Sequence, residues 1–131
     1  MNPDSFRDFP EKNDPWNAFI DTYCTYPTRD DLTPVQRIAV LCFNYDAEMN
    51  SGGYVSYHDM YSDVAPDELA AALRTVHGDA MAENYLHSVA HGANDDYVET
   101  DMAFYKFEPS LTDAIQAYIK KNLSEFFPAH P

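Results

Sequence analysis

Few residues in this chain have the type and spacing to do chemistry, and each spacing limits what could be done. Glu83, His87 and His91 stand at i, i+4 and i+8, which places three ligand-type side chains on one helical face. They are the best candidates for a metal site or a metal-dependent enzyme. No H-E-x-x-H and no Glu-x-x-His pair accompanies them, and the stripe lies at the border of an apolar face. The alternative is a half-exposed polar edge, with His91 stabilised by the helix C-terminus when protonated. Cys24 and Cys42 fall on or beside apolar helix faces, form no C-x-x-C pair and suit inert packing in a reducing compartment. Ser51 lies in Asn50-Ser51-Gly52-Gly53 with no G-x-S-x-G elbow around it. His58 and Asp59 are neighbours, and neighbours on a helix point about 100° apart, so they form no dyad. Gly52-Gly53 has no lysine nearby and sits among acids, so helix punctuation explains it better than a phosphate loop. No catalytic motif is present, and neither an enzyme nor a cofactor is expected.

What remains is charge. Among 131 residues, 22 are acidic and 8 basic, a formal net charge of −14. Phosphate recognition needs clustered Lys and Arg, so direct nucleic-acid binding and attachment to an anionic membrane are not expected. The longest apolar run, Ile38 to Phe43, is far short of the roughly 20 residues of a spanning helix. No secretion leader pattern opens the sequence, so a soluble cytoplasmic protein is expected. Acids are densest in residues 93–109, which hold five acids and one base, whereas residues 110–131 hold two of each. Asp95, Asp96, Glu99 and Asp101 mark the peak and are the candidate partner-binding residues. Carboxylates three or four positions apart on a helix stand about 5–6 Å apart, not far from phosphate spacing. The functional reading is a surface that imitates duplex DNA and decoys a basic protein; the plain reading is solubility. The acids of 95–108 do not share one helical stripe, so a mimic surface has to be assembled from several elements. Tyr54, Tyr57 and Tyr61 are a second candidate contact patch, since tyrosine is favoured at interfaces.

The elements that must position these side chains are helices. Asp14-Pro15 reads as a cap with proline at the first position, followed by Trp16, Phe19, Ile20 and Tyr23 on one face. Thr33-Pro34-Val35-Gln36 is a capping box opening a central helix of about 34–50, apolar most of the way round and so buried on several sides. The segment Tyr54 to Tyr61 suits either a short helix or a strand. Ala65-Pro66 opens a helix facing inward through Leu69, Leu73 and Val76. Asp79 caps another, with Ala82, Leu86, Val89 and Ala90 inward. Val98, Met102 and Tyr105 are helically spaced, and Ser110 starts a final helix running from Leu111 to Phe126. The expected fold is all-α: one bundle of about six short amphipathic helices over residues 14–127, a loose arm of 1–13 with Phe6 and Phe9, and a tail of 128–131.

The stretch Glu48-Met49-Asn50-Ser51-Gly52-Gly53-Tyr54-Val55-Ser56-Tyr57 resembles the signature of the bacterial acidic DNA-mimic protein domain family, an acidic-x-Asn-Gly-Gly-aromatic-x-Gln-aromatic run. The likeness continues through the helix pair 66–91, Asp101-Met102-Ala103-Phe104-Tyr105 and the closing helix to Asn122. Two departures stand out: Ser51 interrupts Asn-Gly-Gly, and Ser56 occupies the Gln position. The resemblance implies an all-helical fold, a bacterial cytoplasmic setting, no cofactor and an interaction function. It assigns no mimicking residue, because the Gly-Gly motif marks structure and the mimicking acids lie outside it. The expected partner is a basic protein such as a DNA-binding regulator, and a homodimer is compatible with the sequence. The alternative is an immunity-type or antitoxin-like inhibitor of a basic enzyme, held by a buried hot spot and less sensitive to salt.

Overall fold

The strongest local signal in the chain is also where the fold is organised. The Thr33 hydroxyl accepts the Gln36 N–H at 3.2 Å, while the Gln36 side-chain oxygen accepts the Thr33 N–H at 2.9 Å. This reciprocal cap, with proline at the first helical position, starts the longest helix. In a computed structural model describing residues 15–128, the chain runs α1 (Pro15–Tyr23), α2 (Pro34–Ser51), α3 (Gly53–Tyr61) and α4 (Pro66–Val76). It continues through α5 (Asp79–His91), a 3₁₀ turn (Gly92–Asp95), α6 (Val98–Phe104), α7 (Leu111–Lys121) and α8 (Leu123–Phe126). No strand occurs among the described residues, so the fold is all-α as expected. The arm of 1–13 with Phe6 and Phe9, the Asp14 cap and residues 129–131 of the tail lie outside the described residues.

α2 is the central helix. Ala39, Val40, Leu41, Cys42, Tyr45 and Met49 are buried on it, and it packs against α3, α4, α7 and α8. Two aromatic clusters meet across it. On one side Phe43 meets Trp16 and Phe19 edge-on, and Phe19 and Tyr23 meet Phe126 in the same way. The Tyr23 hydroxyl donates to the Phe126 carbonyl, tying α1 to α8. On the opposite side Tyr45 meets Tyr57, Tyr85 and Phe104 edge-on at 5.3–5.8 Å, the geometry that the ring quadrupole favours. Asp46, 5% exposed, fastens α2 to α7: Thr112 Oγ1 donates to its Oδ2 at 2.5 Å, and Asn50 Nδ2 to its Oδ1 at 3.1 Å.

Several helical faces differ from the periodicity reading. The segment 54–61 is helical, and Tyr54, Tyr57 and Tyr61 are buried in the Tyr45 cluster, so they do not form an exposed patch. α5 buries Met81, Ala82, Tyr85 and Ser88, and not Val89 or Ala90, which are exposed. The tyrosine decides this rotation: Tyr85 packs on Tyr45 and Tyr57. Ser88 can be buried beside it because its hydroxyl donates to the Tyr85 carbonyl. The cap of α5 is Gly78, with Asp79 the first helical residue. α6 turns Thr100 and Phe104 inward and leaves Val98, Met102 and Tyr105 in solvent. The last helix breaks at Asn122, whose N–H is shared between the Tyr118 and Ile119 carbonyls and whose side chain donates to Tyr118 O at 2.8 Å.

Candidate acidic interaction surface

The residues that could have done catalysis or held metal do not assemble. Glu83 and His91 are exposed and His87 is half-buried. The two imidazoles stand 5.5 Å apart, tilted by 49°. Among the described residues no group of three or more His, Cys, Asp or Glu side chains is placed to hold a metal ion, so Glu83, His87 and His91 do not form such a ligand set. Burial pushes the Cys24 and Cys42 thiols well above their ordinary range, so neither is a thiolate nucleophile at neutral pH. Ser51 is exposed at the end of α2, and His58 and Asp59 point outward from α3. A cavity of about 420 Å³ lies between the loop Tyr26–Arg29 and the end of α3. Its two cations are already engaged: Arg29 holds Asp31 through two bonds of 2.9 Å, and Arg37 holds Glu68 through a pair that includes one of 3.0 Å. These contacts keep both carboxyls below the usual carboxylate range.

The acids are arranged differently. Every described Asp and Glu is exposed except Asp46, Glu48, Glu68 and Asp101. The described arginines are drawn into pairs, Arg29 with Asp31, Arg37 with Glu68 and Arg74 with Asp79 at 3.4 Å. Among the described residues the exposed charged side chains are therefore mostly acidic.

The four acids singled out from the sequence fall into three situations. Asp95 closes the 3₁₀ turn and its Oδ2 accepts the Glu99 N–H at 3.0 Å, a cap for the first turn of α6. Asp96 and Glu99 are exposed. Asp96 and Tyr97 both adopt left-handed backbone, φ +56° and +66°, a conformation unusual for a non-glycine residue and more so for tyrosine. Tertiary packing sustains it: the Tyr97 ring lies so close over Gly92 that a Cβ there would collide with it, and it stacks on Tyr54 with centroids 4.9 Å apart. The turn that anchors Tyr97 inward presents Asp95 and Asp96 outward. Asp101 is half-buried and faces the protein. Its Oδ1 accepts the Tyr54 N–H at 3.0 Å, at the N-terminus of α3 where the helix dipole favours an anion.

The sequence motif at the α2–α3 junction explains why that carboxylate can approach. Gly53 has φ +78°, and a Cβ on it would lie 2.8 Å from the Asp101 carboxyl carbon. Around it Ser56 Oγ donates to Glu48 Oε1 at 2.5 Å, and Asn50 Nδ2 donates to the Asp46 carbonyl at 2.7 Å. In this chain Ser56, where the signature has Gln, thus bonds the motif's own acid. The Glu48-to-Tyr57 stretch is a structural joint, with Asp101 as its distant fourth party. Periodicity gave no sign of that role, because the two partners are 47 positions apart.

A profile of the DMP19-like protein family matches residues 30–122, from the loop before α2 to the end of α7. No curated protein and no solved structure matches the chain. No described helix is long and apolar enough to cross a membrane. The joint at Gly52-Gly53 and the helices on either side lie inside the matched span, and the chain belongs to the DMP19-like family, the acidic DNA-mimic family that its sequence resembles.

Proposed function

We propose that this protein occupies a basic DNA-binding protein, such as a transcriptional regulator, by presenting carboxylates where a duplex presents phosphates. The supporting observation is the charge layout in a member of this family: among the described residues, acids mostly exposed and arginines drawn into ion pairs. Asp95, Asp96 and Glu99 form the proposed contact at the turn before α6, and Asp101 adds its field from behind while holding α3. The partner is engaged by side chains alone, in the cytoplasm, with no catalysis and no cofactor.

The test is a complex of the full chain with a candidate basic DNA-binding protein. Its association rate is expected to fall steeply between 0.1 M and 1 M salt, as the Debye length shrinks from about 10 Å to 3 Å. Duplex DNA is expected to displace the chain competitively. The variant Asp95→Asn/Asp96→Asn/Glu99→Gln keeps the oxygen that caps α6 and is expected to slow association about tenfold with an unchanged melting curve. An unchanged rate would move the contact elsewhere. A complex with a basic enzyme that resists both DNA and 1 M salt would replace mimicry with the inhibitor reading.

A further inference from the structure

α6 lies within the most acidic stretch of the chain, residues 93–109, and, with the residue that follows it, carries an apolar stripe into solvent. Val98, Met102 and Tyr105 are 53%, 55% and 60% exposed. Their i, i+4, i+7 spacing aligns them along about 10 Å of helix, two turns. By helical angle Glu99 flanks the stripe on one side, and Asp95 and Asp96 stand at its N-terminal end; on the other side Asp101 turns inward to the Tyr54 N–H. The stripe is held in place: Thr100 and Phe104 anchor the opposite face in the core, and the Tyr105 hydroxyl donates to the Met49 carbonyl at 2.7 Å, fixing the ring. Three large apolar side chains in solvent beside exposed carboxylates are not needed for solubility and work against it.

We propose that Val98, Met102 and Tyr105 form an apolar seam that seats one amphipathic helix of the partner, with lysines and arginines on that helix reaching Asp95, Asp96 and Glu99. The proposal rests on the reading of the chain as a ligand for a basic protein, and it names what such a ligand otherwise lacks. Phosphate-like charge attracts any basic surface, whereas an apolar seam of fixed length discriminates among them. The complementary ligand is a helix with apolar residues at i, i+4 and i+7 and cationic residues along one edge and at one end, an amphipathic helix laid on an apolar face with charges at its rim.

The test uses two synthetic peptides of identical composition, titrated into the full chain at 0.1 M and 0.5 M salt. One places leucines at i, i+4 and i+7 between lysines and arginines; the other scrambles that order. The ordered peptide is expected to bind about tenfold tighter, the scale of a hot-spot contribution, and the ratio is expected to survive the higher salt. Met102→Ser is expected to abolish that advantage without moving the melting temperature, since the side chain is exposed. Equal binding of the two peptides, indifferent to Met102→Ser, would overturn the seam and leave charge-driven recognition standing. Failure of both peptides at 0.1 M salt would overturn the seam and the basic-partner reading together. A dimer in sedimentation that Met102→Ser dissociates would show a second copy on the stripe and overturn the proposal.

Discussion

Two carboxylates, Asp46 and Glu68, show how position sets the sign of a charge's effect. Burial raises the Asp46 carboxyl above its usual range against the opposing hydrogen bonds from Thr112 and Asn50. A raised folded-state value means that folding favours the protonated form. Its contribution is fullest in acid and is lost as pH rises through the raised value. Asp46→Asn keeps an oxygen for Thr112 and removes the buried charge, so it is expected to melt above the parent at pH 7. The advantage should fade toward about pH 4, the ordinary Asp range, in melts recorded across that interval. Glu68 behaves oppositely. Arg37 lowers its carboxyl, so its contribution is present above the ordinary Glu range and lost as pH falls through the lowered value. With both side chains near two-fifths exposed, Glu68→Gln is expected to cost no more than about 1 kcal/mol at pH 7, and nothing in strong acid. A higher pH 7 melting temperature for Glu68→Gln than for the parent would refute the ion pair's sign.

At the scale of elements, the α2–α3 joint makes the sharpest demand on residue type. Gly53→Val must abandon left-handed backbone or endure it, a cost of about 1–2 kcal/mol, and it must also displace the Asp101 carboxylate. Asp101→Ala removes the cap on Tyr54 N–H and is expected to cost about 1 kcal/mol. The two substitutions touch the same contact, so their effects should fall short of additivity in a double-mutant cycle by chemical denaturation. Strict additivity would show that the carboxylate and the glycine act separately. The helices and most of their boundaries were legible in the sequence because their causes are local: Thr33 with Gln36, Pro66 after Ala65, Ser110 before Asp113, and Gly78 after Val76. The inward faces of α5 and α6 were not. Tyr85 faces the core where Val89 was expected, beside a half-buried Leu86, and Phe104 displaces Met102, because of rings on other helices, above all Tyr45, that periodicity does not contain. The candidate surface was legible only as composition. Asp95, Asp96 and Glu99 read as charge and stand as exposed charge, whereas Asp101 read as charge and turns inward to a backbone amide supplied by another element.

The whole molecule is held together against its own field. Its described arginines lie in pairs with partly or largely exposed side chains, each worth about 0–1 kcal/mol, and these are set against a net charge of −14. Repulsion among the remaining acids dominates, so added salt is expected to stabilise the fold. Melting temperatures should rise between about 0.01 M and 0.15 M sodium chloride, as the Debye length contracts from 30 Å to 8 Å. A falling temperature would mean that the pairs outweigh the repulsion. The same salt range should weaken partner binding, so stability and affinity should move in opposite directions along one titration. The division of the aromatic residues between two clusters has an optical consequence. The single indole, Trp16, stacks on Phe19 at 5.7 Å in the α1 cluster, while the Tyr45 cluster is built largely of phenols. Tryptophan emission therefore reports the docking of α1, and tyrosine dichroism near 280 nm, roughly the phenol band, reports the centre around Tyr45. If unfolding is cooperative the two signals trace one curve; an earlier tryptophan transition would reveal α1 as a shutter that lifts while the bundle behind it stays closed.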